Sequence, residues 1–220
     1  MSIIKVVARG RPTSTFAGTQ GGFTLIEAMI TVVILAILAT LAMPSFNNML
    51  ENRRLTGAAE EILAQIKFAR SESIKQTQSG DFAIRAAVDT DQDDSWVVVV
   101  TDVGAGCDPW VAGDCTYTAL DESLNAIQLE RRSVGGRFAP VELTLDEGSS
   151  TGVGTMSIRI DSVRGVATLP GGGLPAGGGT DWSWRMTLSL DAERWLQVRV
   201  NPMGRAWICQ QTEGRYAGCQ

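Results

Sequence analysis

Hydrophobic and polar positions divide the chain into parts with different patterns. From Phe23 to Met43 the residues are apolar, small or hydroxylic, and Glu27 is the one charged exception. As an α-helix this run is about 30 Å long, which is enough to cross a bilayer. A lone β-strand cannot satisfy its backbone in lipid, so we predict a transmembrane helix over 23–43 despite its β-branched residues.

After this span, apolar residues recur three or four positions apart, which is the spacing of one face of a helix. This stripe consists of Leu55, Ala58, Ile62, Ile66, Ala69 and Ser73. Pro44 lacks a backbone N–H, so we expect a helix kink there. The pattern predicts that the helix continues over 44–76 and ends before the turn Gln78-Ser79-Gly80.

From residue 77 onward the pattern changes to short apolar or alternating runs separated by turn residues. The strand candidates are Phe82–Val88, Trp96–Thr101, Ala126–Arg131, Val141–Leu145, Met156–Ile160, Val163–Leu169, Arg185–Leu190, Trp195–Val200 and Arg205–Cys209. Many short strands predict an antiparallel β head of two packed sheets over 77–220. The glycine-rich segment 170–180 is predicted to be a surface loop. The predicted fold class is therefore α+β, with a long N-terminal helix packed on a two-sheet β head.

The charge of Glu27 is the feature that this pattern leaves unexplained. A carboxylate near one end of a membrane span costs about 2–3 kcal/mol on insertion scales, so such a residue is usually paired. We expect its helix to be uncapped and to offer no partner within the same chain. The partner of Glu27 therefore has to come from elsewhere.

The segment Gly22-Phe23-Thr24-Leu25-Ile26-Glu27 resembles the prepilin signature of the type IV pilin and type II secretion pseudopilin superfamily. This resemblance implies that a prepilin peptidase cleaves between Gly22 and Phe23, removing the leader 1–22, and that Phe23 is then N-methylated. It also implies that Glu27 pairs with the N-terminal ammonium of a neighbouring subunit in a filament. An ordinary signal anchor that contains one glutamate is the alternative.

The layout of one long helix followed by a β head narrows the resemblance to GspH/FimT-type minor pilins. The segments that carry it are Ala58–Glu72, Trp96–Val99 with Asp102, Ile158–Gly165 and Asn201–Cys209. Pilins commonly have a proline near the depth of Pro44, so the resemblance extends to that residue. The glycine-rich segment and the loop between Cys107 and Cys115 look like additions peculiar to this chain.

Charge and composition narrow the function. Lys5, Arg9 and Arg11 precede the apolar span, which predicts a cytoplasmic leader. Removing these three from the chain's 19 basic residues leaves 16 against 24 acidic ones, a net charge of −8 for the mature part. An acidic head does not look like a general nucleic-acid binder. Histidine is absent from the sequence, and no nucleophile elbow, phosphate loop or metal cluster is visible, so we expect no catalysis, metal or cofactor.

The four cysteines form two close pairs, Cys107 with Cys115 and Cys209 with Cys219. Neither pair has the two-residue spacing of a zinc knuckle. In an exported domain we predict two local disulfides, each contributing about 2–3 kcal/mol in the chain-entropy model. Cross-pairing and free thiols are the alternatives.

Asp89, Asp91 and Asp93 alternate as they do at the start of a calcium loop. An EF-hand would require a glycine at position 94 and a glutamate at position 100, and both are missing. A solvated hairpin turn is therefore favoured over weak calcium binding.

Arg205 and Arg215 each follow a glycine near the C-terminus. They resemble in part the Gly-Arg-x-Arg motif implicated in DNA uptake in the FimT subset, but the second arginine is absent from both. Two arginines on an acidic head would neutralise few phosphates. Arginines that fix hairpin turns are therefore favoured over DNA contacts.

These features predict a non-catalytic minor pilin or pseudopilin that primes or enters a type IV pilus through its N-terminal helix. It would be a single-pass protein of the bacterial inner membrane with its head in the periplasm, and later a subunit of a pilus or pseudopilus. The predicted partners are the prepilin peptidase, the inner membrane and other major or minor pilins. A type II secretion pseudopilin and a DNA-binding minor pilin for natural transformation are the alternative functions.

Overall fold

The structure is a computed structural model that describes residues 22–75, 81–89, 94–102, 106–120, 126–146, 153–168, 183–211 and 214–219. The predicted leader, the turn at 78–80 and the glycine-rich segment 170–180 lie outside the described residues, apart from Gly22. The chain divides into two compact units, Met1–Ser45 and Phe46–Gln220.

The described residues contain one α-helix, one short 3-10 helix and eleven strands. These are α1 (Leu25–Lys75), β1 (Phe82–Asp89), β2 (Trp96–Asp102), β3 (Thr116–Leu120), β4 (Ala126–Val134), the 3-10 helix Gly135–Phe138, β5 (Glu142–Asp146), β6 (Val153–Ile160), β7 (Ala167–Thr168), β8 (Trp184–Ser189), β9 (Trp195–Val200), β10 (Ala206–Gln210) and β11 (Ala217–Gly218).

The described part of the first unit comprises residues 22–24 and the N-terminal part of α1. The hydroxyls of Thr31 and Thr40 donate hydrogen bonds to the carbonyls of Ala28 and Ile37, so both are satisfied within the helix. Because α1 is bent between residues 40 and 45, its length and composition are judged for two pieces, Leu25–Thr40 and Ser45–Lys75. Among the described residues no single straight helix is long and apolar enough to cross a membrane, but these two pieces together could do so. The kink at Pro44 stays a prediction.

The second unit contains two sheets. The six-stranded sheet has the order β3-β4-β2-β1-β6-β7, and the five-stranded sheet has the order β11-β10-β9-β8-β5. Within the described residues, paired strands are antiparallel except for β10 with β11. The predicted α+β fold, with a helix packed on an antiparallel two-sheet head, is therefore confirmed.

The core of the second unit lies where the predicted stripe of α1 meets both sheets. The six stripe residues from Leu55 to Ser73 are all buried. The apolar ones cluster with inward-facing residues of the first sheet such as Ile84 and of the second sheet such as Val198. The three-to-four spacing therefore identified the buried face of the helix correctly.

The strand predicted at Val163–Leu169 is wrong for its first part, because residues 161–165 form a turn. The carboxylate of Asp161 accepts the backbone N–H groups of Val163 and Arg164, and its carbonyl accepts that of Gly165. Among the described residues of this segment, 163–168, Ala167–Thr168 is the part that pairs as a strand. Two strands, β3 and β11, were not predicted, although the Thr-Tyr-Thr run that opens β3 has strong β propensity.

Candidate assembly site

The N-terminus of α1 is capped by a side chain. Thr24 precedes the helix, and its hydroxyl oxygen accepts the backbone N–H of Glu27 at 3.3 Å. Its carbonyl accepts the N–H of Ala28 at 3.1 Å, which is the first bond of the helix. The expectation of an uncapped helix is therefore wrong: Thr24 is an N-cap, and Glu27 lies at the third helical position, as in a capping box.

The carboxylate of Glu27 remains available for another chain. Its side chain is exposed, and it has no ion-pair or hydrogen-bond partner among the described residues. Phe23, just before the cap, has 84% of its surface exposed. The predicted cleavage point therefore lies within five residues of an exposed acid whose carboxylate is uncommitted in the part of the chain that the structure describes.

A continuous apolar surface follows this N-terminus. Among the described side chains of the first unit, twelve large apolar ones are each more than half exposed. They are Phe23, Leu25, Ile26, Met29, Ile30, Val32, Val33, Ile34, Leu35, Ile37, Leu38 and Met43. Proteins that stay monomeric in water rarely expose so much contiguous apolar surface, so this face requires lipid or other helices around it.

Ion pairs from the second sheet hold the other half of α1. Arg194 contacts the carboxylate of Glu51 at 3.0 Å. The carboxylate of Glu60 accepts hydrogen bonds from Arg215 at 2.9 Å and from the hydroxyl of Tyr216 at 2.7 Å. Burial, and then the hydrogen bond to Glu60, raise the pKa of Tyr216 to about 12. The C-terminal residues therefore bind to the helix through one shared carboxylate.

A buried polar network holds the helix against the first sheet. Gln65, with 1% of its surface exposed, donates to the hydroxyl of Ser133 at 2.7 Å and accepts from Arg131 at 2.9 Å. The same Ser133 hydroxyl donates to Glu61 at 2.9 Å. Sequence reasoning missed this network, although the signal was a polar residue three positions after Ile62 on the apolar face.

Two turns pack side by side at the end of the head where α1 ends. Gly165 and Gly204 have φ angles of 64° and 70°, which favour glycine. The N–H of Ala167 donates to the carbonyl of Pro202 at 2.9 Å and joins the two turns. A Cβ added at Gly204 would collide with the carbonyl oxygen of Gly165, so the turns meet through their glycine backbones.

These turns present apolar and basic side chains to solvent. The surface, which we call the end-turn surface, consists of Ile74, Val163, Arg164, Met203 and Arg205. The exposed fractions are 79% for Val163, 68% for Met203 and 51% for Ile74. The two arginines lie next to these side chains in sequence and are exposed as well.

The comparison with protein families agrees with the geometry at the N-terminus. Residues 18–43 match the family model described as the prokaryotic N-terminal methylation motif. The chain carries the type IV pilin and pseudopilin signature. Neither the curated proteins nor the solved structures provide a match to this chain.

The pilin signature has consequences for processing and location. Proteins with this motif are structural rather than catalytic. The signature implies processing by a prepilin peptidase and assembly with other pilins. It also implies a membrane-anchored N-terminal helix before assembly.

The β head does not bring the two candidate DNA-contacting arginines together. The turn before Arg205 approaches Arg70, since a Cβ at Gly204 would lie 3.2 Å from its Nε. Arg215 instead pairs with Glu60. Positions 60 and 70 are separated by about 15 Å along a helix, so the two arginines do not form one phosphate site.

Both predicted disulfides are present, Cys107–Cys115 and Cys209–Cys219. The first places its loop over the outer face of the six-stranded sheet, where Cys115 is buried in a small cluster with Val97 and Val99. The second closes the loop that carries the C-terminal residues to α1. Each disulfide therefore fastens a loop to a regular element.

The calcium interpretation gains no support. The described residues contain no group of three or more potential metal-ligating side chains of cysteine, aspartate or glutamate. Asp91 and Asp93 lie outside the described residues.

Proposed function

We propose that this chain is a minor pilin or pseudopilin of the GspH/FimT type, which enters or primes a filament through its N-terminal helix and catalyses no reaction. The observation that carries the proposal is the coincidence of the methylation motif with an exposed Glu27, which has no partner within the described part of the chain, at the capped start of an exposed apolar helix. An ordinary signal anchor has no need for an acid at this position.

The assembly step is electrostatic. Cleavage between Gly22 and Phe23 would create a new ammonium at the N-terminus. That ammonium lies beside the positive end of the helix dipole, which disfavours it. A carboxylate from a neighbouring subunit offsets this cost, and in lipid an unpaired buried charge is expensive. Glu27 of one subunit would therefore draw the Phe23 amine of the next into register.

The head supplies the contact that distinguishes partners. The mature chain is acidic overall, yet the end-turn surface places two exposed arginines beside three exposed apolar side chains. Apolar cores with charged rims are typical of protein interfaces. We assign this surface to the head of another pilin subunit whose facing surface is acidic.

The proposal is tested by replacing Glu27 in a strain that lacks the wild-type gene. We expect Glu27→Ala and Glu27→Gln to be cleaved and methylated but to lower filament number at least about tenfold, because an uncompensated charge costs several kcal/mol. Glu27→Asp, which keeps the charge, is the matched control and should retain assembly in part. Mass spectrometry of the N-terminus reports processing, and electron microscopy reports filaments. Normal filaments from Glu27→Ala would falsify the role of Glu27.

A type IV pilus and a type II secretion pseudopilus would both assemble through the same N-terminal interactions, so the identity of the neighbouring genes is what distinguishes them. Secretion ATPase and secretin genes indicate a type II secretion pseudopilus, whereas minor-pilin genes indicate a type IV pilus. We do not propose DNA binding, because Arg215 is paired with Glu60 and Arg205 lies apart from it.

A further inference from the structure

The outer face of the five-stranded sheet has an open depression of about 490 Å³. This volume lies within the range of small-ligand sites. Its lining includes Glu142, Thr187, Ser189, Trp195 and Gln197. These residues come from three neighbouring strands, so rigid elements rather than loops position most of the site.

Strand register sets the spacing of the site. Glu142 of β5 is opposite Ser189 of β8, and Ser189 is opposite Trp195 of β9. Neighbouring strands are about 4.8 Å apart, so the backbones of Glu142 and Trp195 are separated by about 10 Å. The small Ser189 side chain lies between two larger ones. The result is a trough with a carboxylate wall, an indole wall and a hydroxyl floor.

A second row of the sheet adds oriented polar groups. The side-chain amide of Gln197 donates to the hydroxyl of Thr187 at 3.0 Å, and its oxygen accepts from Arg199 at 2.6 Å. These bonds fix Thr187 and Gln197 in place. The Thr187 hydroxyl still has its own proton to donate, because it acts as the acceptor in that bond.

The two carboxylates of the site differ in their availability. Asp191 accepts the backbone N–H groups of Glu193 and Arg194 and also the Arg194 guanidinium at 2.7 Å. The exposed carboxylate of Glu142 has no hydrogen-bond or ion-pair partner among the described residues. Glu142 is therefore the acceptor that remains for a ligand.

We propose that this depression binds a neutral saccharide, with one pyranose ring between Trp195 and Glu142. A pyranose presents an apolar C–H face that stacks on an indole, and hydroxyls at its edge that donate to a carboxylate. The hydroxyls of Ser189 and Thr187 donate hydrogen bonds to the remaining oxygens of the ring. The unpaired carboxylate of Glu142 repels anions, whereas the charge of Asp191 is already compensated by Arg194. A metal ion would find one uncommitted carboxylate where it needs several ligands. This binding is independent of filament assembly.

The test uses the full chain in a detergent without a sugar headgroup, with cellotriose and chitotriose as neutral probes. Trigalacturonate is the anionic comparison. We expect the neutral probes to bind with a Kd on the order of 1 mM, which is ordinary for a small open site. Saturation-transfer NMR identifies the bound ring, and titration calorimetry gives the Kd.

Variants separate the site from the rest of the sheet. Trp195→Ala should weaken binding at least about tenfold, as expected for removal of an aromatic anchor. Ser189→Trp should abolish it by filling the floor while leaving Trp195 in place. Trp207→Ala is the matched control, since it removes a tryptophan from the neighbouring strand β10 outside the depression, and it should leave the Kd unchanged.

Three results would overturn the proposal. They are absence of neutral-probe binding at about ten times the expected Kd, unchanged binding in a folded Ser189→Trp or Trp195→Ala variant, and tighter binding of trigalacturonate than of the neutral probes. Circular dichroism of each variant shows that loss of binding is not loss of fold. Because none of these readouts depends on filaments, they can fail or succeed separately from the proposed function.

Discussion

Single residues at the ends of elements decide how the parts of this protein meet. Thr24 caps α1 through its hydroxyl, although the sequence motif around it was interpreted as a cleavage signal and not as a helix cap. Sequence alone supports such a cap, because a threonine followed three positions later by a glutamate is a capping-box pattern. The contact between Gly165 and Gly204 has no comparable local signal, because it joins two turns far apart in the chain.

Gly204 gives the sharpest stability prediction at this scale. Gly204→Ala should lower the free energy of unfolding by at least about 3 kcal/mol, because the new Cβ adds a collision with Gly165 to a strained positive φ. Gly113→Ala is the matched control, since Gly113 also has a positive φ but open space around it, and it should cost about 1–2 kcal/mol. Thermal unfolding of the full chain followed by circular dichroism compares the two. Equal losses would show that the packed turns tolerate a side chain.

Tyr216 gives a prediction about pH. Its folded-state pKa of about 12 lies above the usual 10, so the neutral phenol is favoured in the folded chain. Its stabilising contribution is therefore complete below about pH 10 and is lost as the pH rises towards 12. Glu60→Gln should lower this pKa, because the hydrogen-bonded charge of Glu60 is removed, and Glu142→Gln should not.

The chain has two tyrosines, Tyr117 and Tyr216, so removing one of them leaves a single phenol to titrate. In a Tyr117→Phe background, the ultraviolet absorbance of the phenolate reports Tyr216 alone. A Tyr216 pKa near 10 in this background would mean that neither the burial of Tyr216 nor its contact with Glu60 persists in solution.

At the scale of elements, periodic patterns of apolar residues predicted the helix and strands more accurately than turn residues predicted where those elements end. The helix stripe follows from spacing alone, because burial of one face imposes a 3.6-residue period. The prediction of a strand over the first half of Val163–Leu169 failed because the carboxylate of Asp161 accepts the N–H groups of Val163 and Arg164 and so forms a turn, despite the high β propensity of Val163. Gln65 was missed because its partners on β4 are more than 60 residues away in sequence.

Gln65 shows how a buried polar residue contributes to the contact between helix and sheet. Gln65→Leu should reduce the free energy of unfolding by about 2–4 kcal/mol, because Ser133 loses its donor and Arg131 its acceptor. Ala64→Leu, on the exposed neighbouring position of α1, should change it by less than about 0.5 kcal/mol. Denaturant unfolding measures both. A neutral or stabilising Gln65→Leu would indicate that apolar packing at this position outweighs the lost hydrogen bonds.

At the scale of the whole molecule, one chain combines an apolar helix segment with a head of two sheets. The helix segment and the approximate strand positions follow from residue patterns. Sheet order does not, because β1 pairs with β6 across a separation that local propensity cannot encode. The trough at Trp195 could not be predicted from sequence for the same reason. Its residues Glu142, Ser189 and Trp195 become neighbours only when β5, β8 and β9 pair in this register.

The end-turn surface gives the prediction that belongs to the assembled molecule. Met203→Asp should leave the thermal unfolding of the isolated chain unchanged, because this side chain is 68% exposed. It should nevertheless lower incorporation into filaments several-fold, because a charge at the apolar centre of an interface must be desolvated without a partner. Val111→Asp is the matched control, because Val111 is 53% exposed on the loop of the first disulfide and is not part of the end-turn surface. Immunogold labelling of sheared filaments measures incorporation, and cross-linking through a cysteine at position 163 identifies the facing subunit. Equal incorporation of the two variants would show that this surface takes no part in assembly. If instead incorporation is lost for Met203→Asp alone, and a basic substitution on the cross-linked partner restores it, both sides of the contact are identified.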